Sequence, residues 1–179
     1  MPGPPGADEV GYVHSSAHPA PAADTPEAEP DVRLSEELTS VVAGARRRAV
    51  RDGDGQIDTA HLLHSLLEAD PAVRAAFADG AQVARLLGYL VQRSIGYGLQ
   101  WQGTVEDSGA VPVVREASAF SPSAEAAMHA AVEAAARRGA QRASGNDLLD
   151  ALLADPECRA VEVLRRAGVR PEEPSAENG

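Results

Sequence analysis

The chain has 179 residues with a formal net charge of −11 and 44% hydrophobic residues, enough for one ordinary domain with its own core. All 16 basic residues are arginine, so a Walker A phosphate loop, which needs a lysine, is excluded. The acidic balance, with a pI near 4.8, also argues against a sequence-independent nucleic-acid binder, because such a protein needs a positive field to release counterions.

From Met1 to about residue 33, Pro, Ala, Gly and acidic residues dominate without apolar periodicity, which predicts a solvated tail carrying His14 and His18. Ser35 is placed to cap a first helix. Glu36 and Glu37 suit its positive end, and Leu38, Val41, Val42, Ala45 and Ala49 recur at helical spacing up to Asp52. Gly53 and Gly55 break that helix, and Asp58 or Thr59 can cap a second one carrying Leu62, Leu63, Leu66 and Leu67. Pro71 opens a third segment with Val73, Ala76 and Phe77 as its apolar face. A fourth helix is predicted from about Ala81 to Ile95, with Val83, Leu86, Leu87, Leu90 and Val91 on one side.

Glycines mark a connector over 96–119, in which Trp101 and the run Val111 to Val114 pack locally or form a short hairpin. The pattern then restarts. Ser121 caps, Pro122 occupies the first turn, and Ala127, Met128, Ala131, Val132 and Ala135 form a stripe. Leu148, Leu149, Leu152 and Leu153 follow, and Pro156 opens a helix with Val161, Val163 and Leu164 that ends at Gly168. Pro171 and Pro174 interrupt the remaining tail, 170–179.

The restart is an internal repeat: residues 34–67 align without a gap on 120–153, with nine of 34 positions identical. Ser35 matches Ser121, Gly53 matches Gly139, and the four leucines of the second helix match one for one. Two residues further out of step, Ala72, Val73 and Gly80 fall on Ala160, Val161 and Gly168. The expected architecture is all-α, a pseudo-twofold tandem repeat of four-helix motifs over 34–169, with copy one at 34–95 and copy two at 120–169. The second copy is truncated at its C-terminus.

This arrangement resembles the Clp N-terminal repeat domain found at the front of bacterial Clp unfoldases. The family's Gly-Thr-Glu-His-Leu-Leu box corresponds here to Asp58, Thr59, Ala60, His61, Leu62 and Leu63, and in copy two to Ser144, Gly145, Asn146, Asp147, Leu148 and Leu149. Phe120, Ser121 and Pro122 resemble the family's Phe-Thr-Pro start of repeat two. The resemblance implies a non-catalytic receptor for proteins or peptides, acting as adaptor, substrate receptor or decoy, with Clp ATPase or protease components, adaptors or substrate peptides as partners. It places the expected binding groove near Leu34, Thr59, Phe120 and Gly145. Some family members grip phosphorylated arginine through the Thr-Glu pair of each box, but here the glutamate positions hold Ala60 and Asn146 and the second threonine position holds Gly145. The usual phosphoarginine chemistry is therefore not expected. An alternative function is a sequestering or self-resistance protein for a Clp-directed small molecule or peptide antibiotic.

Other motifs weigh less. Asp52 to Asp58 resembles an EF-hand loop, but aligned on Gly55 its first and twelfth positions are Val50 and His61, so the strongest carboxylate ligands are missing. His61 and His64 lack further ligands for zinc and are expected to be one capping and one exposed residue. Arg46, Arg47 and Arg48, with Arg137 and Arg138 in copy two, suggest a phosphate or DNA clamp but also suit the negative ends of their helices, the reading preferred here. No ordered nucleophile arrangement appears. Cys158 stands alone, which excludes an intrachain disulfide and fits a buried thiol in a reducing compartment. No run nears the roughly 20 apolar residues of a membrane span. With no signal peptide visible, no cofactor, no metal and no nucleic-acid or membrane partner is expected, and the protein is expected to be a cytoplasmic monomer.

Overall fold

The computed structural model describes residues 32–94 and 119–171. The predicted N-terminal tail with its histidines, most of the connector with Trp101 and the valine run, and the tail from 172 onward lie outside them.

Copy one contains β1 (Arg33–Leu34), α1 (Glu36–Asp52), β2 (Gln56–Ile57), α2 (Thr59–Ala69), α3 (Pro71–Arg74) and α4 (Gly80–Ser94). Copy two contains β3 (Ala119–Phe120), α5 (Pro122–Arg137), β4 (Arg142–Ala143), α6 (Gly145–Leu153) and α7 (Arg159–Ala167). The caps explain the boundaries. Ser35 Oγ accepts from the Leu38 N–H at 3.1 Å and Ser121 Oγ from the Ala124 N–H at 3.3 Å. Gly53 and Gly139 follow the two long helices with φ of +76° and +70°, where a side chain would be strained.

The duplication folds as two interlocked halves. β1 pairs in parallel with β4, setting Leu34 against Ala143, and β2 pairs in parallel with β3, setting Ile57 against Phe120. Each pair is extended by one bond, Ser35 N–H to Ala143 O and Ser121 N–H to Ile57 O, both 2.9 Å. The start of each copy is thus tied to the residues just before the second helix of the other. These four two-residue strands were not anticipated. Their side chains show no alternation long enough to read, and their hydrogen-bond partners lie in the other copy.

α2 is the axis of the core. Every residue from Thr59 to Leu67 is buried, because α1, α3, α4, α5, α6 and α7 all pack against it. Leu62, Leu63, Leu66 and Leu67 are fully enclosed, each worth roughly 1.5–3 kcal/mol of hydrophobic burial. Their copy-two equivalents are less complete, since Leu153 remains half-buried. No counterpart of α4 covers α6 among the described residues, which agrees with the predicted truncation.

Several details depart from expectation. α7 begins at Arg159 rather than at Pro156, which sits in the preceding turn. α4 spans Gly80–Ser94, and Val91, assigned to its apolar face, is exposed. In α5 the buried stripe is Ala124, Ala127, Ala131 and Ala135, with Met128 and Val132 at its edge. His64 is buried, not exposed, because α2 is packed on every side. At the chain's margins Val32 packs against the core, and Pro171 bridges Phe77.

Candidate functional site

The four residues nominated from the sequence lie at the two junctions between the copies. Phe120 of β3 lies against Ile57, two residues before Thr59. Leu34 of β1 lies against Ala143, two residues before Gly145. Leu34 and Phe120 are half-buried, whereas Thr59 and Gly145 are buried beneath them.

The buried pair turns out to cap helices across the junctions. Thr59 Oγ1 accepts from the Ala160 N–H of α7 at 3.1 Å. This supplies the acceptor that α7 lacks, since Cys158 at its N-cap makes no side-chain cap bond; the Cys158 thiol instead donates to Leu152 O at 3.4 Å. At the other junction the equivalent N–H belongs to Ala72 of α3, and Asp70 caps it within its own helix at 2.9 Å. Gly145 occupies the position of Thr59 there. A Cβ on Gly145 would overlap Asp70 Oδ2 and lie 2.9 Å from Val73 Cγ2. Thr59 with Cys158 and Gly145 with Asp70 are therefore two solutions to one capping requirement, each excluding half of the other.

The starts of α2 and α6 repeat this inversion in their charges. Asp58 caps α2 and accepts from the His61 N–H at 2.8 Å, while its other oxygen receives Arg159 Nη1 at 2.7 Å from copy two. His61 is ringed by carboxylates, with Nδ1 3.0 Å from Asp58 Oδ1 and Nε2 3.1 Å from Asp54 and 3.6 Å from Asp52. Burial opposes the charged ring, but Asp58, Asp52 and Asp54 outweigh it and push the His61 pKa up to about 11. Burial also opposes the Asp58 carboxylate, yet His61 and Arg159 hold it well below the usual carboxylate range. In copy two, Ser144 takes the place of Asp58 and Asp147 that of His61. Arg138, at the position of Asp52, binds Asp147 with both guanidinium nitrogens. The cation and the anion have exchanged positions.

That exchange bears on metal binding. Asp52, Asp54 and His61 bring three ligand atoms within 4.8 Å of one another, a cluster that was not expected from the EF-hand-like segment. Copy two builds the same contact from Arg138 and Asp147, which cannot hold a metal, so an ion pair is the common role of both.

A cavity of about 330 Å³ opens beside β1 and β4, lined by Val32, Arg33, Ala140 and Arg142 among others. A second, of about 450 Å³, lies between α1 and α2 and is lined in part by Arg47 and Arg48, but not by Arg46. Copy two's arginines go elsewhere, Arg137 to Glu133 at 3.8 Å and Arg138 to Asp147. The five arginines nominated as one clamp are thus dispersed. Sequence reasoning missed the ion network around His61, although Asp58 and His61, like Ser144 and Asp147, stand three residues apart as an N-cap and its partner, the spacing of a capping box.

No known protein-family profile and no curated protein matches the chain. Among solved structures, the N-terminal domain of the chaperone ClpD from Arabidopsis thaliana is 20% identical with a TM-score of 0.57, covering 77% of this chain and 86% of that one. A structure from work on a malarial protein secretion system is 14% identical with a TM-score of 0.54, covering 76% and 85%. The chain is an all-α tandem module with a fold like that of a Clp N-terminal domain. Among the described residues no helix is long and apolar enough to cross a membrane.

Proposed function

We propose that this chain is a non-catalytic protein- or peptide-binding module of a Clp chaperone-protease system, acting in the cytoplasm as adaptor, substrate receptor or decoy. The observation that carries this reading is the β1–β4 junction. There a cavity of about 330 Å³ is walled by Val32, Ala140, Arg33 and Arg142, and the half-buried Leu34 follows Arg33 in β1. Such a surface suits an extended segment with an apolar side chain and a carboxylate. Thr59 and Gly145 do not face the ligand in this reading; they hold the junctions on which Leu34 and Phe120 are displayed. Phosphoarginine binding by the family's usual chemistry has no support, because Ala60 is buried and Thr59 Oγ1 is engaged with Ala160.

The test is affinity capture from a lysate of the source cells, with the full chain as bait beside Leu34→Asp and Phe120→Asp variants shown to be folded by circular dichroism. Retention of Clp ATPase components or a defined substrate set by the parent chain, lost in the variants, is the expected result. Equal retention by all three baits would contradict the reading.

A further inference from the structure

We propose that the groove between α1 and α2 of copy one is an oxyanion site that takes a phosphomonoester, independent of the junction surfaces. Its walls carry three guanidinium groups, Arg47, Arg48 and Arg51, two hydroxyl side chains, Ser40 and Ser65, and one carboxylate, Glu68. In a chain with a net charge of −11, the lining carries three cations against one anion, and although Arg51 also lies 3.3 Å from Asp52, the excess of cations is a local inversion of the field, the kind that attracts a small anion. Guanidinium forks match phosphate oxygens two at a time, and hydroxyl donors complete the set.

Two buried groups point to a ligand. Ser65 is 3% exposed, and its Oγ has no hydrogen-bond partner among the described residues; the same holds for Arg48 Nε. Buried donors left unmade are costly, so each is a place where a bound oxygen would gain most. Arg47 makes no ion pair among the described residues. Arg48 is paired with Glu68, whose carboxylate is half-exposed and also reaches His64 Nε2 at 3.3 Å. Glu68 thus shows that an anionic oxygen fits against Arg48, and its exposure allows a stronger anion to displace it. The neighbouring His64 reports the same field: burial, and then the Arg48 cation, push its pKa down to about 4.

The second copy is an internal control. At the aligned positions, Ser40, Gly44, Arg47, Arg48, Ser65 and Glu68 become Ala126, Ala130, Glu133, Ala134, Ala151 and Ala154. Both hydroxyl groups and two of the three guanidinium groups are lost, while Arg137, at the position of Arg51, is kept and pairs with Glu133. Arg47 and Arg48 are therefore not a requirement of the fold. Gly44 adds room, since a methyl there would stand 3.1 Å from Ser65 Oγ and 3.7 Å from Arg47 Nη2, inside the groove. The cavity exceeds the volume of phosphate alone, which leaves space for the organic part of a monoester, either a free metabolite or a phosphorylated side chain.

The experiment is a titration of the full chain, at low salt, with inorganic phosphate, phosphoserine and a phosphoserine peptide, followed by amide chemical shifts. Saturable shifts at Gly44, Arg48 and Ser65 that weaken with added salt are expected. Arg47→Ala and Gly44→Ala, both outside the core, should each weaken binding about tenfold while leaving the unfolding midpoint near the parent value. Glu68→Gln should tighten it, a response that a purely structural role would not give. Arg137→Ala in copy two should leave it unchanged. Tighter binding of the peptide than of phosphoserine would assign the ligand to a modified protein, and the reverse to a free metabolite. No saturable shift with any probe, or shifts unaffected by Arg47→Ala and Glu68→Gln, would overturn the proposal. Because none of these residues lies at the β1–β4 junction, failure here leaves the Clp-partner reading untouched.

Discussion

The two junctions between the repeats face the same task with different chemistry. Where α2 meets α7, the contact is polar and buried: Asp58 receives Arg159 across the junction, and Thr59 caps α7 because Cys158 does not. Where α6 meets α3, Ser144 and Pro71 replace the ion pair, Asp70 caps its own helix, and Gly145 stands aside for it. One fold thus tolerates opposite assignments of charge and of capping, provided that both members of each pair change together. A single substitution that borrows one half of the other junction's solution should fail where the matched pair succeeds.

The largest effect expected from this contrast is at Asp58. Asp58→Ala removes a cap of α2 and the bond that Arg159, 7% exposed, donates to it, a loss of roughly 3 kcal/mol from a cap plus a charged hydrogen bond. The matched Ser144→Ala should cost only about 1 kcal/mol, the usual value of a cap. Urea unfolding of the two variants measures the difference, and equal losses would remove the asymmetry.

Next is Gly145→Thr, which writes the residue of one junction into the other. The new side chain collides with Asp70 and Val73, so a loss of about 2–3 kcal/mol is expected, in the range of overpacked cores. Thermal unfolding of the variant checks this; an unchanged midpoint would show that the junction yields freely.

A pH effect follows from the two buried histidines. His61 is raised from its ordinary value near 6.5 to about 11, so between those values the folded chain holds a proton that the unfolded chain has lost. Its contribution is complete below pH 6.5 and declines as pH rises. His64 is lowered to about 4, so below pH 6.5 the unfolded chain holds the extra proton and stability falls as pH drops. Stability should therefore peak near pH 6.5. In His61→Gln, urea midpoints should lose most of the decline above that pH, and an unaltered alkaline slope would exclude the carboxylate ring as its cause.

The smallest effect is expected at Arg138, whose side chain is 54% exposed. Arg138→Ala should cost about 1 kcal/mol, because the cation is exposed and the buried Asp147 keeps its bonds from the Ser144 N–H and hydroxyl. A loss matching that of Asp58→Ala would mean that exposure does not separate the two ion networks.

Much of this was legible in the chain. Ser35, Asp58, Ser121, Gly53, Gly139 and Gly168 marked helix ends, and the repeated leucines marked the central helices, because caps and apolar periodicity are local signals. The burial of His64 and the exposure of Val91 were not legible, since both depend on which helix packs against which. Nor could the partners of Thr59 and Asp58 be read: Ala160 and Arg159 each lie 101 residues away. At the candidate site, the family resemblance selected four positions that lie at the two junctions between the copies. It did not distinguish Leu34 and Phe120, which reach the surface, from Thr59 and Gly145, which lie beneath. The arginine groove was half legible: Arg47 and Arg48 stood in the clamp suggested by the sequence, but Ser65 looks like an ordinary helical residue until α1 is laid beside it.

The complementarity of the junctions is tested most directly by a double-mutant cycle on Thr59→Gly and Cys158→Asp, which rewrites the α2–α7 junction as the α3–α6 one. Thr59→Gly alone should destabilise the protein by about 1–2 kcal/mol, having taken the cap from Ala160. With Cys158→Asp also present, the new carboxylate caps α7 from its own N-cap in the space that glycine leaves, and a favourable coupling of about 1 kcal/mol or more is predicted. Strictly additive losses in urea unfolding would contradict the account, because Thr59 and residue 158 would then not be sharing one capping task.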